Sequence, residues 1–244
     1  MPRLTEPPSG TPNTAAGRRY WENSKRLAQL VLVVVRSAEH FADEIRRLAQ
    51  SGVPVADTAL SARLDADFNR LSQGSEFLSE WNVVMAVTFA EAFLHDVLVE
   101  CSLIDSTLLG DAEPSASYIE VSSAASLDAL RHEMHSKWAR SFVDDGGPRR
   151  WSDRLERMGV RDLPLPTSTL EEIWGIRHAI VHRAGVASAE FVRRHPSLDA
   201  QVGQRIALNS RQVIEYVGAI DAFVRPVDVA FATRMASRTS APAV

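Results

Sequence analysis

The chain has 244 residues, 45% of them apolar and 24% charged, with a net charge of −4. That balance belongs to an ordinary globular protein and excludes wholesale disorder, a collagen-like repeat and a basic surface built for duplex DNA. A single cysteine, Cys101, rules out an internal disulfide and, in the apolar stretch Val-Leu-Val-Glu-Cys-Ser-Leu-Ile, is expected to be a buried packing residue in a reducing, cytoplasmic protein.

Charge is unevenly spread: residues 1–130 carry −8, residues 131–161 carry +3 and residues 162–244 carry +1, so a polyanion is expected to meet the second half. Residues 1–17, rich in Pro, Thr and Ser, lack the apolar stretch of about 7 to 15 residues that an export signal requires and are expected to form a disordered tail. Arg18 to Gln50 is a long helical stretch ending at the break Ser51-Gly52-Val53-Pro54. Its run Leu27 to Val35 is about half the length needed to cross a bilayer, so core or dimer interface is expected rather than membrane contact. Thr58 to about Leu71 predicts a second, amphipathic helix, and with the first it makes an N-terminal extension over residues 18–75.

Ser75 to Leu103 is apolar on nearly every side of a helical wheel, which predicts the central helix of a domain spanning residues 76–236. After the loop around Gly110 to Pro114, Ser126 to Val143 predicts a helix stopped by Asp144-Asp145-Gly146-Gly147-Pro148. Trp151 to Gly159 predicts a short helix, and Pro164-Leu165-Pro166 prevents the chain from coiling further. Ser168 with Glu171 has the spacing of a capping box, opening a helix that runs from Thr169 through Arg177 and His182 to a stop at Gly185. A loop with Pro196 and Gly203 follows, in which Arg205 to Leu208 has extended character, and Ser210 to about Met235 forms the last helix before a disordered tail at 237–244. With no alternating strand pattern and no repeat, the fold class is all-α.

The sequence lacks a phosphate-binding loop, G-x-G-x-x-G, H-E-x-x-H, C-x-x-C and G-x-S-x-G, so nucleotide-binding, zincin and serine-hydrolase chemistries lose their signatures. Attention falls on Glu-Glu-Ile-Trp-Gly-Ile-Arg-His-Ala-Ile-Val-His-Arg-Ala-Gly, residues 171–185. With Ile173 at zero on a wheel of about 100° steps, Leu170, Trp174, Ile176, Ile180 and Val181 form an apolar arc with Arg177 in its middle. A guanidinium on a core-facing stripe requires an anion. Glu91, an acid in an apolar arc of the central helix, supplies one from inside the chain, and a phosphate supplies one from outside. His178 and His182 lie four residues apart at the edge of the stripe, the second near a helix C-terminus that favours the protonated imidazole. An arginine and two groups titrating near neutrality suffice to cleave RNA without a metal. A histidine takes the proton of a 2′-hydroxyl, that oxygen attacks its own phosphate, and the arginine holds the charge that builds there.

Arg177-His178-Ala179-Ile180-Val181-His182 resembles the motif of HEPN domains, an arginine followed by histidine after four to six residues, with a polar residue next to the arginine. The surroundings resemble the defence-associated RiboL-PSP type over roughly residues 76 to 235: an upstream helix with Phe89-Ala90-Glu91-Ala92-Phe93-Leu94, the Trp151 to Gly159 segment, Gly185 after the motif and a long closing helix. The resemblance implies a helical-bundle homodimer whose two motifs meet in one cleft. It also implies a ribonuclease leaving 2′,3′-cyclic phosphates, with no cofactor, in a toxin–antitoxin or antiphage setting with an antitoxin or defence partner. Arg177 and His182 would inherit the catalytic roles and His178, where Asn is more frequent, a supporting one.

Simpler readings stand beside these. Arg177 can be a salt-bridged structural residue and His182 a surface histidine, and the family includes non-catalytic members, so a helical module binding RNA or protein is the alternative function. The spacing of His178 and His182, and of His132 and His135, also suits a metal pair, but without a convincing third ligand no metal is expected, and the latter pair is expected on a solvated face. Arg149, Arg150 and Arg154 around Trp151, with Arg157, Arg161 and, beyond the motif, Arg183, are expected to follow an RNA backbone while the indole stacks on a base. A solvated helix with Trp151 in the core is the competing placement.

Overall fold

The protein is all-α, as its computed structural model shows for residues 13–50, 58–110, 115–164 and 167–240. Side chains are described for all of these except residues 32, 34–46, 48–50, 58–76 and 210. The helices are α1 (Ala15–Gln50), α2 (Thr58–Ile104), α3 (Tyr118–Ser123), α4 (Leu127–Asp144), α5 (Gly147–Arg157), α6 (Ser168–Arg183), α7 (Ala189–Arg194) and α8 (Ser210–Thr239), with a 3₁₀ turn at Ser106–Leu109 after α2. The expected Ser51–Pro54 break, the segment 111–114, Leu165 and Pro166, and the outer parts of both tails lie outside the described residues.

The central helix is α2, which packs against α1, α4, α6 and α8. Its residues Val83, Val87, Leu94, Val97, Leu98 and Cys101 have no exposed surface, which is why the sequence is apolar all round from Val83 onward. Over Phe77–Ile104 it is long and apolar enough to cross a membrane, yet more than half of its most apolar stretch is buried within the protein. Burial pushes the Cys101 thiol up to about 11, so the residue packs and does not react at neutral pH.

Three expected boundaries move. The two helices read over Thr58–Leu71 and Ser75–Leu103 are one continuous helix, because the single Gly74 between them costs a helix only about 1 kcal/mol and does not break it. The division at residue 75 therefore falls inside α2. The last residues of the expected tail, 13–17, are instead folded: Thr14 and Ala16 are buried, and the Thr14 amide and hydroxyl donate to Asp228 Oδ1 at 2.9 and 2.6 Å. The next turn of α1 is equally anchored, with the Tyr20 hydroxyl donating to Asp221 Oδ1 at 2.7 Å and Arg19 bonding Asp96 and Glu100 at 2.9 Å each. At the other end α8 continues through Thr239, past the expected limit at 236.

The α4 boundary agrees with expectation, with Ser126 as N-cap, and an antiparallel bridge between Val186 and Arg205 accounts for the extended character near Arg205. The capping box expected at Ser168 does not form, because Ser168 is already the first helical residue and Thr167 occupies the cap without a side-chain bond. The short helices α3 and α7, six residues each, were not legible in an apolar period, since fewer than two turns show no repeat.

Candidate functional site

Helix α6 is held on two sides before it offers anything to solvent. Leu170, Ile173, Ile176 and Ala179 are buried and form its true core face. On one flank Glu172 accepts hydroxyl bonds from Tyr216 of α8 at 2.7 Å and from Ser197 at 2.6 Å. On the same helix Gly175 lets the half-turn after α7 approach: a Cβ there would stand 2.5 Å from His195 Nε2. At the C-terminus Ala184 and Gly185 both take positive φ (51° and 78°), and their amides both reach the Ala179 carbonyl. Gly185 abuts Glu80, a buried acid of α2 that Arg205 clasps with two bonds at 2.9 and 2.7 Å. The stop expected at Gly185 thus begins one residue earlier.

Arg177 sits on the other flank rather than in the middle of the core face. Counting Ala179, the buried arc of the wheel is centred about 60 to 70° away from Arg177, and Val181, expected inside the arc, is 48% exposed. Arg177 keeps a partial exposure of 28%, and its Nη2 lies 3.7 Å from Glu91 Oε2 on α2. The other oxygen of Glu91 accepts the Trp174 indole N–H at 2.9 Å. The expected Arg177–Glu91 pairing is present, as a long contact. Arg177 Nε is buried and has no hydrogen-bond acceptor among the described residues. A guanidinium has five N–H donors in a fixed fork; Nε is closed to solvent, so the Nη groups, held by one 3.7 Å contact, are the donors with capacity to spare.

His178 and His182 are exposed, with ring centroids 4.6 Å apart. Burial, and after it the charges of His182, Arg183 and Arg177, lowers the pKa of His178 below the ordinary histidine value, against a weaker pull from Glu190. One short helix end therefore carries an incompletely bonded guanidinium, an imidazole held in its neutral form, a second imidazole in contact with it and the exposed Arg183.

The second expected cluster is different. Trp151 is 2% exposed, its indole N–H donates to the Phe142 and Val143 carbonyls at 3.1 Å, and its ring meets Trp174 edge-on at 5.2 Å between centroids. It is a core residue and cannot stack on a base, which corrects that expectation. Arg154 lies 4.6 Å over the Phe142 ring and Arg150 bonds Asp145 at 3.0 Å, so both close the α4–α5 turn. Arg149 is exposed on the same helix. In the pair His132 and His135 the first is exposed, but His135 is buried and its Nδ1 lies 2.7 Å from Ser102 Oγ, which corrects the solvated-face expectation.

Sequence reasoning missed Trp174 as the residue that orients Glu91, although its place three residues before Arg177 put it on the same flank. It also missed Ser136, His95 and Asp96, whose Oγ, Nε2 and Nδ1, and Oδ1 follow one another at 3.1 and 3.0 Å. Ser136 is buried inside α4, where the backbone N–H groups serve the helix ladder and leave no donor pair for an oxyanion, so this chain ties α2 to α4. Among the described residues no three His, Cys, Asp or Glu side chains are grouped to hold a metal ion. A cleft of about 400 Å³ lies elsewhere, between Met158–Val160 and α8, and holds none of the motif residues. In it burial acts to raise the Asp105 carboxyl, but hydrogen bonds from Thr107 and the guanidinium of Arg234 outweigh it and keep the group at about 2. Compared with protein-family models, curated proteins and solved structures, the chain matches none.

Proposed function

We propose that this chain is a metal-independent endoribonuclease of HEPN type, acting as a homodimer in the cytoplasm in a toxin–antitoxin or antiphage setting. The observation that supports it most is the end of α6, where Arg177 Nε is buried without an acceptor beside two exposed, touching imidazoles. An incompletely bonded guanidinium next to a neutral imidazole is what transesterification of RNA requires. His182 takes the proton from the 2′-hydroxyl, and the 2′-oxygen forms a bond to the adjacent phosphorus. The bond from phosphorus to the 5′-oxygen breaks, and the leaving oxygen takes back the proton that His182 removed, so that a 2′,3′-cyclic phosphate and a 5′-hydroxyl result and His182 returns to its starting state. Arg177 donates to the phosphoryl oxygens, with Glu91 and Trp174 fixing its plane. His178 remains neutral and supports the His182 ring by direct contact. Arg183 and Arg149 supply positive charge to the RNA backbone.

The test is cleavage of single-stranded RNA by the full chain in excess chelator, with end-group analysis. The expected result is cyclic-phosphate ends, lost by at least about 100-fold in Arg177→Ala and in His182→Ala. Unchanged melting of His182→Ala is expected because the ring is exposed. Activity that only added zinc or manganese restores overturns the proposal. RNA retention without cleavage would instead make the chain a non-catalytic binding module, for which the Glu91 tether on Arg177 would be a purely structural contact.

A further inference from the structure

The cleft between Met158–Val160 and α8 is built around Asp105, a buried carboxylate just past the end of α2. Its Oδ1 accepts from the Thr107 amide at 3.2 Å and from the Thr107 hydroxyl at 2.6 Å. Its Oδ2 accepts from two guanidiniums of α8, Arg234 Nε at 2.7 Å and Arg238 Nε at 3.2 Å. Like charges four residues apart on a helix repel, and the shared carboxylate is what gathers these two at one place. Both oxygens of Asp105 are occupied and the group is 3% exposed, so it offers nothing to a cation.

The two arginines are held differently. Arg234 also donates through Nη1 to the Met158 carbonyl at 2.9 Å and through Nη2 to Thr107 Oγ1 at 3.0 Å, so every nitrogen of its guanidinium is pinned. Arg238 is held through Nε alone and is 52% exposed. Its Nη1 and Nη2 have no acceptor among the described residues. They lie side by side in a planar fork, the geometry that matches two oxygens of a carboxylate or a phosphate.

Much of the remaining lining is apolar: Met158, Val160, Ala230 and Phe231. Thr233 and Ser237 line the cleft as well, but their hydroxyls donate to the Val229 and Arg234 carbonyls and add no free donor. The volume of about 400 Å³ is at the small end of the range for sites that enclose an organic ligand.

We infer that this cleft binds a small organic anion, a phosphate or carboxylate head on a compact apolar body, with the head on the Nη edge of Arg238 and the body against Met158 and Ala230. Two guanidiniums against one carboxylate leave the lining at +1, opposite in sign to the chain at −4. A single surplus charge suits one head group and not the backbone of a polyanion. The bonds that pin Arg234 and the Nε of Arg238 fix the fork in advance, which lowers the cost of ordering it on binding. This inference does not rest on the nuclease reading, since the cleft holds none of the motif residues.

The test is isothermal titration calorimetry of the full chain with phenyl phosphate and with benzoate, which carry the two head groups on the same ring. Inorganic phosphate and benzyl alcohol serve as the head and the ring alone. One site per chain is expected for phenyl phosphate or benzoate, the tighter of the two naming the head, with each half alone weaker by at least about 10-fold. Arg238→Gln should weaken binding by at least about 10-fold at an unchanged melting temperature, because its side chain is half exposed and Arg234 keeps Asp105 paired. Ala230→Leu keeps both guanidiniums, fills the cleft and should bring the ring-bearing anion down to the level of inorganic phosphate, which decides the matter if Arg238→Gln lowers the melting temperature. Arg211→Gln, 89% exposed in the first turn of α8, removes the same charge at the other end of that helix and should leave binding unchanged. Absence of binding at millimolar concentration overturns the inference. So does an equal loss in Arg211→Gln and Arg238→Gln, and so does binding that Arg238→Gln and Ala230→Leu both leave intact.

Discussion

The ends of α5 and α6 carry nearly the same materials, arginines interleaved with an indole or an imidazole, and the fold treats them in opposite ways. On α5 the indole of Trp151 turns inward, caps two α4 carbonyls and braces Trp174, while Arg150 and Arg154 close the turn onto Asp145 and Phe142. On α6 Arg177 keeps a buried, unbonded Nε, and His178 and His182 face solvent. What separates the two clusters is whether the donors have found acceptors inside the protein. The two regions are also connected in series: Trp151 supports Trp174, Trp174 orients Glu91, and Glu91 stands against Arg177.

The largest effect is expected where that series starts. Trp151→Ala removes a fully packed indole and its two carbonyl bonds, and unfolding by denaturant should show a loss of about 3 to 5 kcal/mol. Trp151→Phe should recover most of the packing but remove the indole donor from the Val143 carbonyl and leave the Phe142 carbonyl only the 3.4 Å bond from Arg154, at about 1 to 2 kcal/mol. An RNA-stacking role would instead give reduced RNA affinity at unchanged stability in both, and would break the comparison.

A smaller effect is expected one step along. Glu91→Gln keeps an acceptor for Trp174 but removes the charge facing Arg177, so a cost of about 1 kcal/mol is expected in denaturant unfolding, limited by the partial exposure of the pair. If Arg177 serves the phosphate, cleavage should fall by more than this stability change explains. A variant with full cleavage and lower stability would place Arg177 with the α5 arginines as a structural residue.

The smallest effect is the pH dependence. Burial lowers the pKa of His178, His135 and His195, so each binds its proton more weakly in the folded than in the unfolded chain. The stability tied to their neutral forms is fully present above the unfolded value near 6.5 and is lost as pH falls through the lower folded values. The melting temperature should therefore drop between pH 7.5 and 5.5, and His178→Asn should remove part of that slope with little change at pH 7.5. A melting temperature that rises on acidification would mean these imidazoles are stabilised as cations.

Legibility followed periodicity. The long helices announced themselves because burial on one side, or on all sides for α2, leaves a repeat that survives over several turns, and caps such as Ser126 mark ends by local hydrogen bonding. The contact of Arg177 with Glu91 was readable for a related reason: a charge amid apolar neighbours must meet its opposite. The wheel nevertheless set Arg177 too deep, since Ala179 counts as core only once α2 and α8 are in place. The sequence leaves Trp151 between core and RNA surface and sets His135 on a solvated face, because an amphipathic side chain is consistent with solvent and with core alike; the fold buries both.

The sequence by itself determined an all-helical protein, a central helix apolar on every side, and one short segment in which an arginine and two histidines share a helix end. These follow from the backbone period and from the cost of burying apolar or charged groups singly, which act within about 20 residues. Only the tertiary structure decided that Thr14 locks onto Asp228 across the chain, that Trp151 faces inward, and that Arg177 Nε is left without an acceptor while Arg154 covers a ring. Those outcomes depend on which carbonyl, carboxylate or ring arrives opposite a donor from a distant helix, and no local pattern encodes that meeting.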